Sequence, residues 1–214
     1  MAVLCCIRHG QSASNAGLVT TSPDSIPLTD LGVRQAVYAA QAFPRQPAVV
    51  LVSPFDRTVQ TSMPLRQRFP LAPVAVWPIQ EFSYLAPDRY SGTRREERAP
   101  AVVAYWRRLD ADFRDGAGAE TFREFWRRVE DFLSRCRELS GLAAVFSHGQ
   151  FLRGVMLRVL VGPVPVEDAM CRFRAFRQAI AMPNAASFWL TLSRRGERLS
   201  PVTAAYVPLD CRTT

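Results

Sequence analysis

Short apolar runs divide this chain into longer segments of mixed polarity. Residues 3–7 and 48–52 are entirely apolar, and residues 143–146 form a third run of this kind. Such runs are typical of strands that are buried on both faces of a sheet. Residues 74–77 predict one further short strand. We therefore expect a central sheet whose strands are distributed over the whole chain.

The segments between these runs show apolar residues at helical spacing. Residues 29–43 predict a helix with Thr29 as its N-cap. Its buried face is predicted to comprise Val33, Ala36, Val37 and Ala40.

A second helix is expected directly after the apolar run 48–52. Ser53 and Pro54 are residue types that are favoured at the N-cap and at the first helical position. Arg57 would then lie in the first turn, and Pro64 is expected to kink the helix or end it early.

Three more helices are predicted in the second half of the chain. Thr121 and Glu124 form a capping-box pattern at the head of a strongly amphipathic helix. Its buried stripe is predicted to comprise Phe122, Phe125, Trp126, Val129, Phe132, Leu133 and Cys136. A helix over residues 100–113 precedes it, and an apolar helix that ends at Gly162-Pro163 follows residue 148.

Strands that alternate with helices predict an α/β fold with a mainly parallel sheet. Residues 187–193 and 202–207 are expected to form a terminal hairpin around Arg194-Arg195-Gly196. We find no internal repeat and no linker, so residues 1–214 are predicted to form a single domain.

The chain contains two histidines, and each follows a predicted buried strand. His9 and His148 are both followed by the dipeptide Gly-Gln. Ligands of open α/β sheets bind just beyond the carboxyl ends of the strands. A lone histidine in such a place is usually structural, but two that are placed alike point to one shared site.

Several motifs, in a fixed order along the chain, resemble the histidine phosphatase superfamily, the phosphoglycerate mutase-like proteins. They are Arg8-His9-Gly10-Gln11-Ser12 with Asn15, Pro27-Leu28-Thr29-Asp30-Leu31-Gly32 with Gln35-Ala36, Ser53-Pro54-Phe55-Asp56-Arg57-Thr58-Val59-Gln60-Thr61, Glu81, and Ser147-His148-Gly149. The resemblance runs from residue 3 to about residue 188. It implies a three-layer α/β/α sandwich, with residues 82–120 as a lid inserted beside the site.

The resemblance also implies a phosphomonoesterase that works through a phosphohistidine on His9. Arg8, Arg57 and His148 would hold the phosphoryl oxygens, and Glu81 would protonate the leaving oxygen. A backbone carbonyl would hold one ring nitrogen of His9, and the nearby arginines would favour its neutral form.

Further residues are assigned supporting roles on the same basis. Asn15 and the backbone amides near Gly149 would donate hydrogen bonds to the phosphoryl group. Residues expected to position these groups or to contact the substrate are Gln11, Ser12, Ser53, Gln150, Arg94 and Arg95. The arginines at 89, 94, 95 and 98 form a basic group just after Glu81.

Two other functions remain open at this point. A phosphoglycerate mutase would use the same residues to pass the phosphoryl group between substrate hydroxyls. A binding or regulatory module would keep the pocket without turnover. A metal enzyme is not favoured, because no metal-ligand spacing accompanies the two histidines, and no cofactor is predicted.

The formal charge of +8 arises entirely from arginine, since the sequence has no lysine. This excludes Schiff-base chemistry and suits anionic small-molecule esters. No basic run with interleaved aromatics indicates nucleic acid, and no apolar run reaches the length of a membrane span. Five cysteines without framework spacing predict buried free thiols in a cytoplasmic protein. A homodimer is compatible with these features.

Overall fold

The computed structural model describes residues 1–193 and 196–213. Its centre is a six-stranded sheet in the order β3-β2-β4-β1-β5-β6. The strands are β1 (Ala2–Arg8), β2 (Val49–Val52), β3 (Val74–Val76), β4 (Gly141–Ser147), β5 (Ser187–Ser193) and β6 (Gly196–Leu199). The first four strands are mutually parallel, and β5 and β6 continue the sheet in antiparallel pairing. The predicted α/β fold with a mainly parallel sheet is confirmed.

Helices cover both faces of this sheet. They are α1 (Asp30–Gln41), α2 (Asp56–Arg68), α3 (Pro87–Tyr90), α4 (Ala99–Arg108), α5 (Phe122–Arg137), α6 (Gly149–Val161) and α7 (Val166–Ala179). Side chains of α4 to α7 pack on one face, and those of α1 and α2 pack on the other. Cys5 and Cys6 are neighbours in β1 and belong to different faces, because successive side chains of a strand point in opposite directions. The result is the expected three-layer sandwich.

The helix α5 follows its prediction in detail. Thr121 Oγ1 accepts a hydrogen bond from the Glu124 N–H, and the Glu124 carboxylate accepts one from the Thr121 N–H. The residues of its predicted stripe are all buried.

The buried face of α1 differs from its prediction. Val33 and Val37 are exposed, whereas Gln35 is fully buried beside small residues. The Gln35 amide accepts from the Gln11 N–H and donates to the Cys211 carbonyl, so its polar groups are satisfied inside the protein. The prediction is confirmed for Ala36 and Ala40, which are buried, and wrong for Val33 and Val37.

The helix α2 begins two residues later than predicted, with Phe55 instead of Ser53 as its N-cap. The Ser53 hydroxyl accepts from the Phe55 N–H and also contacts the site described below. Arg57 lies in the first turn, as expected. Pro64 does not end the helix, which continues to Arg68.

Two other boundaries also differ from the sequence predictions. Leu109 has φ +51° and ends α4 before the predicted limit at residue 113. In the terminal hairpin, β5 pairs with β6 (Gly196–Leu199) and not with residues 202–207. Of the latter, only Thr203 forms a bridge to β5, at Ser187. The predicted turn residues Arg194 and Arg195 lie outside the described residues. No element was predicted for the segment that forms α7.

Most cysteines are buried free thiols, as predicted, but Cys171 is exposed. Burial raises the pKa of the Cys5 thiol to about 12. Within the described residues, no helix is both long and apolar enough to cross a membrane.

Candidate active site

The carboxyl ends of the four parallel strands meet at one edge of the sheet, and a cavity of about 430 Å³ opens there. Arg8 at the end of β1 is aligned with Ser147 at the end of β4, so the residues that follow them are neighbours. The His9 and His148 rings meet edge to face with centroids 5.1 Å apart. The two predicted strand-end histidines therefore share one site.

His9 is buried, and both of its ring nitrogens are engaged. Nδ1 lies 2.7 Å from the carbonyl oxygen of Gly10 and donates to it, while Nε2 accepts from Arg57 Nε at 3.3 Å. Burial, reinforced by Arg57 and Arg8, holds the pKa of His9 well below its usual value. The ring is therefore neutral, with its proton on Nδ1 and a lone pair on Nε2.

The loop after β1 is fixed by a close approach of two glycines. A Cβ on Gly10 would lie 2.4 Å from the Gly32 carbonyl oxygen, and one on Gly32 would lie 2.1 Å from the Gln11 carbonyl oxygen. The Gly10 N–H donates to Thr61 on α2. Only glycine allows this packing, which holds the carbonyl that orients His9.

Asn15 lines the cavity, and its orientation is set by its neighbours. Its Oδ1 accepts hydrogen bonds from Ser12 Oγ and from Asn184 Nδ2, each at 3.0 Å. Among the described residues no partner of the amide nitrogen is found, so this nitrogen can donate into the cavity. The Gln11 side chain contacts the start of α1, where its Oε1 accepts a hydrogen bond from Thr29 Oγ1.

Arg8 and Arg57 reach the cavity from β1 and α2, and each is anchored by a backbone carbonyl. Arg8 Nη1 donates to Met182 at 2.5 Å, and Arg57 Nη1 donates to Pro23 at 2.6 Å. Burial lowers the pKa of both guanidinium groups to about 10, so both remain charged at neutral pH. Each carbonyl fixes one arm of the fork and leaves others for a ligand.

His148 is the N-cap of α6 and is fully buried. Its Nε2 is hydrogen-bonded to Ser53 Oγ at 2.8 Å, so Ser53 lies where it can orient the His148 ring. Burial, followed by Arg57, keeps the pKa of His148 well below its usual value. His148 Nδ1 and Arg8 Nε are buried without a hydrogen-bond partner among the described residues.

Glu81 lies in an irregular segment after β3, with its carboxylate at the N-terminus of α6. Oε1 accepts from the backbone N–H groups of Gln150 at 3.0 Å, Phe151 at 3.3 Å and Phe82 at 3.1 Å. A helix N-terminus has unpaired donors and a positive dipole end, so it anchors a carboxylate well. Amides close to Gly149 were expected to bind phosphate, but the two at 150 and 151 bind Glu81 instead.

The lid segment, residues 82–120, forms one wall of the cavity. Arg95 lines it, whereas Arg94 does not, so only Arg95 has the placement expected of a substrate ligand. Arg98 also lines it, but its guanidinium donates to Thr20 Oγ1 and to the Thr93 carbonyl. Arg89 forms an ion pair with Asp115. The four lid arginines therefore have distinct surroundings.

Two arginines in the cavity wall were not predicted. Arg153 comes from the second turn of α6, and Arg177 comes from α7. Arg153 lies four residues after Gly149, one helical turn from the site, and this spacing was a usable signal. No signal marked Arg177, because α7 itself was not predicted. The described residues contain no cluster of three or more His, Cys, Asp or Glu side chains that could hold a metal ion.

Comparison with known sequences then identifies the family. Residues 4–199 match the sequence model of the histidine phosphatase superfamily, branch 1. The chain belongs to the histidine phosphatase superfamily. The chain is also 28% identical over 174 residues to a probable phosphoglycerate mutase, GpmB, of Yersinia enterocolitica. The aligned part covers 78% of this chain and 79% of that protein.

Solved structures of phosphatases share the fold of this chain. A variant phosphoserine phosphatase from Entamoeba histolytica, bound to phosphoserine, has a TM-score of 0.74 at 17% identity, covering 97% of this chain and all of that one. The α-ribazole phosphatase of Shigella flexneri has a TM-score of 0.73 at 19% identity, with 95% and 97% covered. A mycobacterial glucosyl-3-phosphoglycerate phosphatase has a TM-score of 0.68 at 23% identity, with 92% and 97% covered.

Proposed function

We propose that this histidine phosphatase hydrolyses a small phosphomonoester through a covalent phosphohistidine on His9, without a metal ion. The observation that carries the proposal is the state of His9. Its proton is held on Nδ1 by Gly10, and its Nε2 lone pair lies beside Arg57. A neutral imidazole nitrogen in such a place is a competent nucleophile near neutral pH.

The first step transfers the phosphoryl group to His9. Glu81 takes up a proton when the phosphoryl dianion binds beside it, because two adjacent anionic groups favour protonation of one of them. Nε2 attacks phosphorus, the bond from phosphorus to the ester oxygen breaks, and Glu81 gives that oxygen its proton. Arg57 releases its contact with Nε2 and binds the phosphoryl oxygens together with Arg8. Fixed charged donors of this kind stabilise the charge that develops on these oxygens. The unpartnered Arg8 Nε and His148 Nδ1 support an anion at this position, because buried polar atoms normally have partners.

The second step restores the enzyme. Water attacks the phosphohistidine while Glu81 takes one of its protons, and the bond between phosphorus and Nε2 breaks. Inorganic phosphate leaves, and His9 is again neutral.

Rapid quench with a labelled phosphomonoester tests the intermediate. Phenyl phosphate carrying radioactive phosphorus should leave acid-labile, base-stable label on the peptide that contains His9. The chain has two histidines, so peptide mapping separates His9 from His148 without ambiguity. His9→Ala should lose both the label and turnover. Label on His148, or full turnover by His9→Ala, would overturn the assignment.

Metal independence is tested separately with a chelator. Arg57, which is buried, and Arg8, which is partly buried, supply the positive charge that magnesium supplies in other phosphoryl-transfer enzymes. Turnover should therefore persist in excess EDTA. Loss of turnover that added magnesium or zinc restores would refute this part of the proposal.

A phosphoglycerate mutase is the second candidate, and the similarity to the probable mutase GpmB favours it. The two candidates differ in the acceptor of the phosphoryl group, which is water for a phosphatase and a substrate hydroxyl for a mutase. Incubation with 3-phosphoglycerate should release inorganic phosphate. Formation of 2-phosphoglycerate without phosphate release would favour the mutase, and no turnover of any ester would leave a binding module.

A further inference from the structure

The cavity is far more positive than one phosphoryl group requires. Six arginines line it, at positions 8, 57, 95, 98, 153 and 177, and Glu81 is the one carboxylate among the described lining residues. Ion pairs are frequent elsewhere in the described chain, but none of them includes a cavity arginine. A bound phosphate dianion would leave much of this charge uncompensated, which favours a ligand with further negative charge.

Arg153 is held rigidly at the cavity wall by backbone carbonyls. Its Nε donates to Ile180 at 2.9 Å, and its Nη1 donates to Gly149 at 3.1 Å. A Cβ on Gly149 would lie 3.0 Å from Arg153 Nη1 and 3.4 Å from Arg8 Nε, so both guanidinium groups flank this glycine. Burial lowers the pKa of Arg153 despite the opposing effect of Glu81, and Arg177 lowers it further. Arg153 is therefore a preorganised cation beside the proposed phosphoryl site.

Arg177 adds a further positive charge to the cavity lining. Its guanidinium carbon lies 4.7 Å from the centroid of the Trp106 ring, which fixes the side chain by a cation–π contact. Arg8 and Arg57 are the pair that the proposed reaction uses, and Arg153 and Arg177 reach the same cavity from α6 and α7. This second pair suits a further anionic group on the same molecule.

We infer that Arg153 and Arg177 bind a second anionic group of the substrate, a carboxylate or a further phosphate, beyond the phosphoryl group that reacts at His9. The inference rests on the proposed function, since it names the substrate class of the same site. Planar guanidinium forks bind carboxylate and phosphate through paired hydrogen bonds, so the subsite selects bis-anionic esters over esters with a neutral leaving group.

Binding of two matched phosphonates tests this subsite without any turnover. Propylphosphonate and 3-phosphonopropanoate each carry one phosphonate, and the second also carries a carboxylate. Because neither is hydrolysed, calorimetric titration measures the second subsite even if the chain proves not to be a phosphatase. The wild-type protein should bind 3-phosphonopropanoate about 10- to 100-fold more tightly, the usual contribution of a charge-assisted hydrogen bond.

Variants at the subsite should remove this preference. Arg153→Gln and Arg177→Gln should bring the affinity for 3-phosphonopropanoate close to that for propylphosphonate and leave propylphosphonate binding within a few-fold. Arg153→Lys, which keeps the charge and loses the fork, should retain part of the preference. Arg172→Gln is the matched control, because Arg172 lies exposed on the same helix as Arg177 and does not line the cavity.

Two results would overturn the inference. One is equal binding of the two phosphonates by the wild-type protein, and the other is a preference that survives both glutamine variants. Circular dichroism of each variant shows whether it has folded. If Arg153→Gln does not fold, Arg177→Gln and Arg153→Lys still decide the question.

Discussion

The role of Glu81 as general acid can be tested by comparing two esters, one whose leaving group needs a proton and one whose leaving group does not. An alkyl phosphate departs as a strongly basic alkoxide and depends on a proton, whereas nitrophenyl phosphate departs as a stable phenolate. Glu81→Gln keeps the size of the side chain and removes the acidic proton. We therefore expect it to slow phosphorylation of His9 much more for the alkyl ester.

The structure sets the size of the expected effects. Glu81 Oε1 accepts all three backbone N–H groups, and the amide oxygen of glutamine can accept them as well. The substitution removes the attraction of the negative charge to the α6 dipole, about 0.3–1 kcal/mol of stability, and its attraction to Arg8, Arg57 and Arg153. General acid catalysis contributes about 10²- to 10⁴-fold, so the alkyl ester should lose about that factor in an almost undisturbed fold.

The assay must isolate the first chemical step. Single-turnover quench experiments follow phosphorylation of His9, because the later hydrolysis is common to both esters and also uses Glu81. Asp24→Asn and Asp56→Asn serve as controls, since both carboxylates are near Arg57 and neither lines the cavity. Both controls should keep the wild-type ratio between the two esters.

Equal losses for the two esters in Glu81→Gln would refute the reasoning. Glu81 would then only fix the start of α6, and the acid would have to be sought elsewhere. A control variant that slows the alkyl ester much more than the nitrophenyl ester would then identify the acid.

Three further predictions concern the frame around the site. Burial, with Arg57 and Arg8, keeps the pKa of His9 well below 6.5 in the folded chain, so the unfolded chain binds more protons and stability falls as pH drops below about 6.5. The free energy of unfolding, measured with urea between about pH 5 and pH 8, should fall towards low pH, and His9 should contribute up to about 1.4 kcal/mol per pH unit to this slope. His9→Gln should remove that contribution, and an unchanged slope would contradict the prediction. Gly10→Ala should cost about 1–3 kcal/mol and lower kcat/KM, because its Cβ would meet the Gly32 carbonyl and shift the partner of His9. Gly17→Ala is the control for this variant, because Gly17 has φ +79° and no atom lies within 4 Å of the new carbon. It should lower the free energy of unfolding by about 1–2 kcal/mol and keep kcat/KM. Finally, Arg98→Met should speed hydrogen exchange of the Gly92 N–H, which donates to the Thr20 carbonyl, and an unchanged rate would show that Arg98 does not tie the lid to residue 20.

The sequence by itself determined the features that depend on local pattern. Apolar runs located the central strands, and the capping box with its stripe located α5 almost to the residue. The two histidines after β1 and β4 were expected at one edge of the sheet, and their ring centroids lie 5.1 Å apart. Such predictions succeed because burial of a strand or helix face imposes a short repeat on the residues that form it.

Only the tertiary structure decided which polar groups are buried and what they contact. Gln35 is buried because residues 11 and 211 satisfy its amide, although its polarity indicated the surface. Glu81 meets the start of α6 across about 70 residues of sequence, and Arg177 reaches the cavity on a helix with no clear pattern. The stability of these arrangements comes from hydrogen bonds and charges between distant segments, and no short repeat in the sequence records them.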